Sequence, residues 1–272
     1  MKTKEEIITE LHVNPTIEIQ AEIQKRINFL VEYSVKTNTN GFVLGISGGA
    51  DSTLAGKLAQ LAIDQMNERG DNKKFIAVRL PYREQQDEED AQRAIAFIKP
   101  TENVTFNIAA GVDALTKTYE QSMRNAISDF HKGNIKARIR MIAQYAIAGE
   151  HNMLVIGSDH AAEAVTGFFT KYGDGGADIL PLSGLVKSQV RMLLQTLGAE
   201  KILYEKPATA GLLDDKEQQL DEVELGISYD LIDQFLTNHE VPETTEHQMR
   251  ERYTITAHKR ELPVTMFDTW WK

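Results

Sequence analysis

Apolar residues recur along this chain in two rhythms, a helical stripe of about 3.6 residues and short unbroken runs. Residues 4–12 carry Ile7, Ile8 and Leu11 and predict a short amphipathic helix, ended by Asn14-Pro15. Ile19, Ile23, Ile27, Leu30 and Val31 form a longer stripe and predict a helix over residues 16–36. A polar turn then leads into Gly41-Phe42-Val43-Leu44-Gly45-Ile46, a strand, and Leu54, Leu58, Leu61 and Ile63 predict a helix over 53–68. Residues 75–80 and 104–108 predict two more strands. Between them the acidic segment 84–90 opens a helix that reaches Ile98, its charges suited to a helix N-terminus or a solvated face. Residues 112–148 read as helical with an interruption near Lys132-Gly133-Asn134. Beyond it Ile135, Ile139, Ile142 and Ala146 share one face, while Arg138 and Arg140 project elsewhere. Met153-Leu154-Val155-Ile156-Gly157 is fully apolar, as expected of a buried parallel strand, and Ser158-Asp159 predicts the cap of a helix from His160.

Strands separated by helices of this length imply βαβ units with right-handed crossovers. The expected fold is α/β, one open parallel sheet with helices on both faces, Rossmann-like, in a single domain over residues 1–272. Such sheets bind ligands at the carboxyl ends of their strands, and the loops at Ser47 and Ser158 are two such ends. Residues 168–185 differ in kind, since the loop Lys171-Tyr172-Gly173-Asp174-Gly175-Gly176-Ala177-Asp178 adjoins a strand end. A helix follows over residues 187–197. Lys187 stands near its start, where the helix dipole disfavours a cation, so it is easier to understand facing an anion. Residues 204–225 are polar and predict a mobile lid, disordered without ligand. Helices are expected over 228–236 and 244–253, and Trp270-Trp271 in the tail are expected to pack against the body or a second subunit.

Composition narrows the function classes. Of 272 residues, 42% are hydrophobic, enough for a sizeable core. Lys and Arg number 30 against 40 Asp and Glu, a net charge of −10, which argues against a broad nucleic-acid surface. With Cys 0, disulfides, thiolate metal sites and a cysteine nucleophile are excluded. No run approaches membrane-spanning length and no apolar leader opens the chain, so a soluble, cytoplasmic protein with no membrane partner is expected.

The candidate chemistry centres on Gly45-Ile46-Ser47-Gly48-Gly49-Ala50-Asp51-Ser52, between a strand and a helix. Adjacent glycines let the backbone come close to a ligand, and the exposed N–H groups with the helix N-terminus make a phosphate site. The pattern is neither a Walker A loop nor a dinucleotide fingerprint, because Asp51, Ser47 and Leu58 break those spacings. It resembles the pyrophosphate loop of enzymes that cleave ATP between its α and β phosphates. Ser47 and Ser52 can donate to phosphate oxygens, and Asp51 can hold Mg²⁺.

Further motifs follow in order: 133–141 (Gly-Asn-Ile-Lys-Ala-Arg-Ile-Arg-Met), 157–163 (Gly-Ser-Asp-His-Ala-Ala-Glu), 168–178, and His258-Lys259-Arg260. Together with the loop, they resemble the ammonia-dependent NAD⁺ synthetases of bacterial type over nearly the whole chain. The resemblance implies an adenine nucleotide α-hydrolase-like fold and a homodimer, for which the helices over 16–36 and 134–148 are candidates. It implies ATP, deamido-NAD⁺ and ammonia as substrates, with Mg²⁺. An acyl-adenylate would form with release of pyrophosphate, and ammonia would then displace AMP. On the same basis Asp51 and Glu163 are metal ligands and, with Lys187, carry the catalysis. Gly45 to Ser52, Ser158, Lys187 and Thr209 are ATP contacts. Arg138, Lys171, Asp178, His258 and Lys259 are deamido-NAD⁺ contacts. Ala50 stands where the family often has Gln, Ser158 where it has Thr, and the lid sequence around Thr209 departs from the family pattern.

Two rivals are set against this expectation. Other enzymes with the loop use catalytic cysteines or a glutaminase commonly built on one, and this chain has Cys 0. A nucleotide-binding sensor on the same fold would need neither Glu163 nor the second-substrate residues.

Overall fold

The computed structural model describes residues 1–83, 88–209, 211–215 and 219–271. The expected helix start at 84–87 and the lid positions 210 and 216–218 lie outside them. The first elements are α1 (Lys4–Glu10), α2 (Ile19–Lys36), β1 (Gly41–Gly45), α3 (Ala50–Asn67), β2 (Lys74–Arg79), α4 (Glu88–Ile98) and β3 (Glu102–Thr105). Then come α5 (Ala109–Met123), α6 (Asp129–His151), β4 (Leu154–Val155), α7 (Ala161–Thr166) and α8 (Lys187–Thr196). The C-terminal part is helical: α9 (Lys201–Glu205), α10 (Asp221–Leu225), α11 (Tyr229–Leu236), α12 (Glu243–Ile255) and α13 (Ala257–Arg260).

The sheet is parallel throughout, in the order β3-β2-β1-β4, with Phe42 opposite Phe75 and Leu154. Its strands alternate between two cores, as the pleat requires. Phe42 and Leu44 pack with Leu54, Leu58 and Val190 on the face covered by α2, α3 and α8. Val43, Ile76 and Val78 pack with Val112 and Ala143 on the face covered by α5 and α6. A third cluster, including Ile7, Val165, Phe235 and Met249, joins α1 and α7 to α11 and α12. The helices-on-both-faces architecture is the one expected.

Several boundaries differ from expectation, each for a physical reason. The long helical region breaks at 124–128, not at 132–134. Arg124 ends α5 with φ 59°, and the Ser128 hydroxyl caps α6 by accepting from the His131 N–H. Gly133 and Asn134 lie inside α6, and Gly133 is there for room: a Cβ would stand 3.2 Å from Leu212 Cβ. The edge strand β3 starts at Glu102 and is exposed along its length, so its pairing to β2 carries no apolar signal. β4 is only two residues long, and beyond it Ile156 bridges Ile179 while its N–H still donates to Val43 O (2.9 Å). His160, not Ser158 or Asp159, occupies the N-cap of α7, and without a side-chain cap bond. Trp270 and Trp271 are 41% and 55% exposed, so the body does not bury them.

Gly41 opens β1 with φ 134°, and a Cβ there would lie 1.9 Å from the Lys74 carbonyl oxygen. Gly41→Ala is expected to destabilise the protein by about 3 kcal/mol, a fall in melting temperature of roughly 5–10 °C. Thermal unfolding followed by circular dichroism measures it, and an unchanged midpoint would mean that the β1–β2 edge relaxes around the methyl group.

Candidate active site

From β1 the chain runs to β2 and β3 on one side of the sheet, while β4 lies on the other side. The segments leaving β1 and β4 therefore diverge and open a crevice between them, the usual ligand position in such sheets. The first segment is the glycine turn. Gly45 N–H donates to Gln144 Oε1 (2.7 Å), and Ile46 N–H donates to Val78 O (2.8 Å). Gly48 has φ 90°, and a Cβ on it would lie 2.7 Å from the Ala91 nitrogen, so only glycine fits beside the start of α4. Gly49 is the N-cap of α3, which begins at Ala50 rather than Thr53 and so carries Asp51 and Ser52 in its first turn. The Ser47 and Ser52 hydroxyls lie 3.1 Å apart, and Gly49 N–H donates to Ser47 Oγ (3.3 Å). The turn thus holds its own shape, with the first N–H groups of an 18-residue helix at its end.

The second segment, after β4, brings a buried charged cluster against that helix start. One ligand atom each from Asp51, His160 and Glu163 all lie within 4.8 Å of one another. Lys187 Nζ donates to both Asp51 oxygens (2.7 and 3.0 Å). Its side chain is 4% exposed and lies over the Tyr229 ring, 4.9 Å from the centroid. The anion that the position of Lys187 called for is Asp51, and the strain of a cation at a helix start is offset by Asp233. The Asp233 carboxylate accepts from the Lys187 and Ser188 N–H groups (3.0 and 2.6 Å).

Burial alone would raise the Asp51 carboxyl, but the charges of Lys187 and His160 outweigh it and hold it well below the usual carboxylate range. Burial, with the charges of Asp51 and Asp159 close by, pushes Glu163 up to about 8 against the pull of His160 and Lys187. Asp159 is raised by burial and then by Asp174 and Asp51. Burial works against the Lys187 and His160 cations, yet the carboxylates around each raise both. His160 Nε2 stands 3.3 Å from Asp51 Oδ1 and 3.9 Å from Glu163 Oε2, and neither buried ring nitrogen makes a well-formed hydrogen bond among the described residues. Two carboxylates and an imidazole converging on one point, with excess negative charge around them, fit a small divalent cation.

The second-substrate residues fall into two places. Arg138, Lys171, His258 and Lys259 gather around one turn. Lys259 Nζ donates to Gly167 O and Phe169 O (both 2.8 Å), Lys171 Nζ donates to His258 O, and Arg138 Nε donates to Lys171 O (3.3 Å). Beside them is a cavity of about 120 Å³ whose walls include Phe130, Phe168, Phe169, Asn134, Asp174 and Lys259. Asp178 stands apart at the sheet edge, accepting from Tyr145 Oη (3.0 Å) and from Val155 N–H (2.8 Å). Thr209 pairs through its backbone with Leu220. Ser158 follows β4 after Ile156 and Gly157, on the segment that leaves the strand's carboxyl end. The described part of the expected lid is held rather than loose: it contains this bridge, α10, and Asp214 paired with Lys132 and Lys136.

Sequence reasoning passed over His160, Asp159, Asp174, Asp221 and Tyr229. His160 stands three residues before Glu163, one helical turn away, and that spacing was the available signal. Asp221, joined to Tyr229 by a 3.1 Å hydrogen bond, comes from the polar stretch that gave no periodicity, whereas Tyr229 opens the helix expected over 228–236.

The chain is similar to known proteins over most of its length. A family model described as NAD synthase matches residues 22–263. An NH(3)-dependent NAD(+) synthetase of Bacillus thuringiensis is 57% identical over 272 residues, covering 100% of each chain. Among solved structures, NAD+ synthetase from Burkholderia pseudomallei is 43% identical with a TM-score of 0.83, covering 96% of each chain. NMN synthetase from Francisella tularensis is 34% identical with a TM-score of 0.80, covering 93% of this chain and 100% of its own.

Proposed function

The chain belongs to the NAD synthase family, and from that premise we propose that it is an ammonia-dependent NAD⁺ synthetase, a ligase that amidates deamido-NAD⁺ with ATP as co-substrate. The observation that carries the mechanism is the meeting of Asp51, His160, Glu163 and Lys187 beside the glycine turn. Oxide is not a viable leaving group, so the pyridine carboxylate must be activated. Its oxygen attacks the α-phosphorus of ATP, pyrophosphate departs, and an acyl-adenylate results. Ammonia then adds to the carbonyl carbon, AMP leaves, and the nitrogen loses a proton.

The chain's residues bind, orient and neutralise. The turn from Gly45 to Ser52 and the start of α3 cradle the phosphates, with the Ser47–Ser52 hydroxyl pair opening toward phosphate oxygens. Lys187 is a fixed point charge that can shift from Asp51 to a phosphate oxygen. Asp51 and Glu163, with His160 between them, would hold Mg²⁺, which supplies charge neutralisation for the departing pyrophosphate. Ser158 and Thr209 are assigned to ATP. The cavity walled by Phe130, Phe168 and Phe169 is below the size of a whole-ligand pocket but suits one pyridine ring. Arg138, Lys171, His258 and Lys259 are assigned to the rest of the dinucleotide, and Asp178 to it through the Tyr145 side of the sheet.

The chain is taken as one domain over 1–272, because α8 packs on both α3 and α11. Self-association as a homodimer is part of the proposal. Phe29, Tyr33 and Val35 on α2 and Ile142 on α6 are exposed apolar side chains on the two helices expected to pair, and the tail tryptophans are exposed as well. No described helix is long and apolar enough to cross a membrane. A cytoplasmic site of action follows from the use of ATP.

The test is a product assay with ATP, Mg²⁺ and ammonium, run with deamido-NAD⁺ and, because of the NMN synthetase relative, separately with the deamidated mononucleotide. NAD⁺ with AMP and pyrophosphate is expected from the first arm, and leaving out ammonium should stop the reaction at the adenylate. ADP and phosphate as products would overturn the pyrophosphate-loop chemistry, and turnover of the mononucleotide alone would overturn the substrate.

A further inference from the structure

The first two turns of α6 carry a stripe that the reaction above does not use. Asp129, Lys132, Gly133 and Lys136 stand at i, i+3, i+4 and i+7, on one helix face. That face holds residues 212–215. Lys136 Nζ donates to Leu212 O (2.8 Å) and to the Asp214 carboxylate. Lys132 Nζ donates to the other Asp214 oxygen (2.6 Å). Asp129 accepts from the Asp214 and Asp215 N–H groups (2.9 and 3.3 Å). Gly133 leaves the space that Leu212 fills.

Lys136 is the least expected member, an ammonium on a side chain only 3% exposed. The Tyr82 ring lies 4.5 Å from it, fixed by a hydrogen bond from Tyr82 Oη to Asp113 (2.7 Å). A buried ammonium without a carboxylate is strongly unfavourable, so Lys136 favours the arrangement in which Asp214 reaches it. Burial alone would raise the Asp214 carboxyl, but hydrogen bonds from Lys132 and Lys136 hold it below the ordinary range. The same segment roofs the aromatic cavity, since Gly211, Leu212 and Leu213 line it together with Phe130 and Asn134.

The geometry points to Asp214 and Lys136 as positioning residues, a latch that holds residues 211–215 over the aromatic cavity and so sets how tightly the pyridine end of the second substrate is retained. The substrate half of this statement rests on the function proposed above, and the latch itself does not.

Hydrogen exchange on the full-length free protein reads the latch directly, because the Asp214 and Asp215 amides are donors to Asp129. In Asp214→Asn these amides should exchange about tenfold faster or more, while those of β1 and β2 keep their rates. Lys132→Gln leaves Lys136 its partner and should give a smaller gain, which keeps the test usable if Asp214→Asn fails to fold. In steady-state assays Asp214→Asn should raise KM for deamido-NAD⁺ about tenfold, leave KM for ATP within about twofold, and hold or raise kcat as product leaves faster. Asp214→Glu should recover part of the lost affinity. Unchanged exchange at residues 214 and 215 in both variants overturns the latch. Faster exchange with KM unmoved overturns its role in retention, as does a loss confined to kcat. If the wild-type protein makes no amide product, the functional proposal fails while the exchange data still decide the latch.

Discussion

Asp51→Asn should lower turnover by about 10³-fold while leaving the protein folded. Asparagine keeps the size of the side chain and one oxygen for Lys187, and removes only the charge. That charge is what the cluster is arranged around. Lys187 binds it through both oxygens, and His160 stands 3.3 Å from it. Without it, a divalent cation loses one of its two carboxylates and pyrophosphate departs with less neutralisation. The fold is spared because Asp51 is also a source of repulsion. Its charge is among those that raise Glu163 and Asp159, and neutralising it relieves both. The rate of AMP release measured beside the thermal midpoint decides the matter. Turnover within about tenfold of wild type would remove Asp51 from the chemistry.

Lys187→Met should act chiefly on stability, and in a way that divalent cations reverse. The residue is buried among Asp51, Glu163 and Asp221, whose charges oppose the effect of burial on its ammonium. Methionine fills the volume over Tyr229 but leaves those carboxylates without their cation. Removing one partner from such a group destabilises by about 3–5 kcal/mol. In chelator the variant should therefore melt well below wild type. Mg²⁺ at tenfold its dissociation constant would return about 1.4 kcal/mol to any chain that binds it only when folded. Because the variant's carboxylates are less compensated, its midpoint should rise more with Mg²⁺ than that of wild type. Equal shifts in the two proteins would contradict a metal site at Asp51 and Glu163.

The parts of the molecule legible in the sequence were those with a period or a rare local geometry. The apolar runs at 41–46 and 75–80 became β1 and β2 because strands buried on both faces are apolar throughout. The glycine turn was legible because Gly48 needs a positive φ and has no room for a Cβ. Lys187 drew notice because it stood where a helix dipole disfavours it, and its partner proved to be Asp51. β3 was misplaced because an exposed edge strand is set by its register to β2, not by its own side chains. Gly133 was read as a breaker because its reason for being glycine, Leu212, lies 79 residues away in sequence, 212 less 133. His160 and Tyr229 were passed over because their roles come from what the fold puts beside them. Likewise the 204–225 segment was expected to be loose on composition, yet Asp214 is tied down by two lysines of α6.

The turn between α5 and α6 has a consequence of its own. Residues 124–126 are exposed, and Arg124 leaves α5 in a left-handed conformation, so the backbone there bears little of the packing. Three strands, the glycine turn and Asp51 precede it, while the last strand, His160, Glu163, Lys187 and the aromatic cavity follow it. A chain severed at this point would yield two pieces, each with an incomplete set of reacting parts and a sheet edge that only the other can cover. Neither piece would be an enzyme alone. Their reunion would be self-reporting, since the appearance of product would require β4 to find β1 and, in the same event, carry the missing half of the chemistry into place.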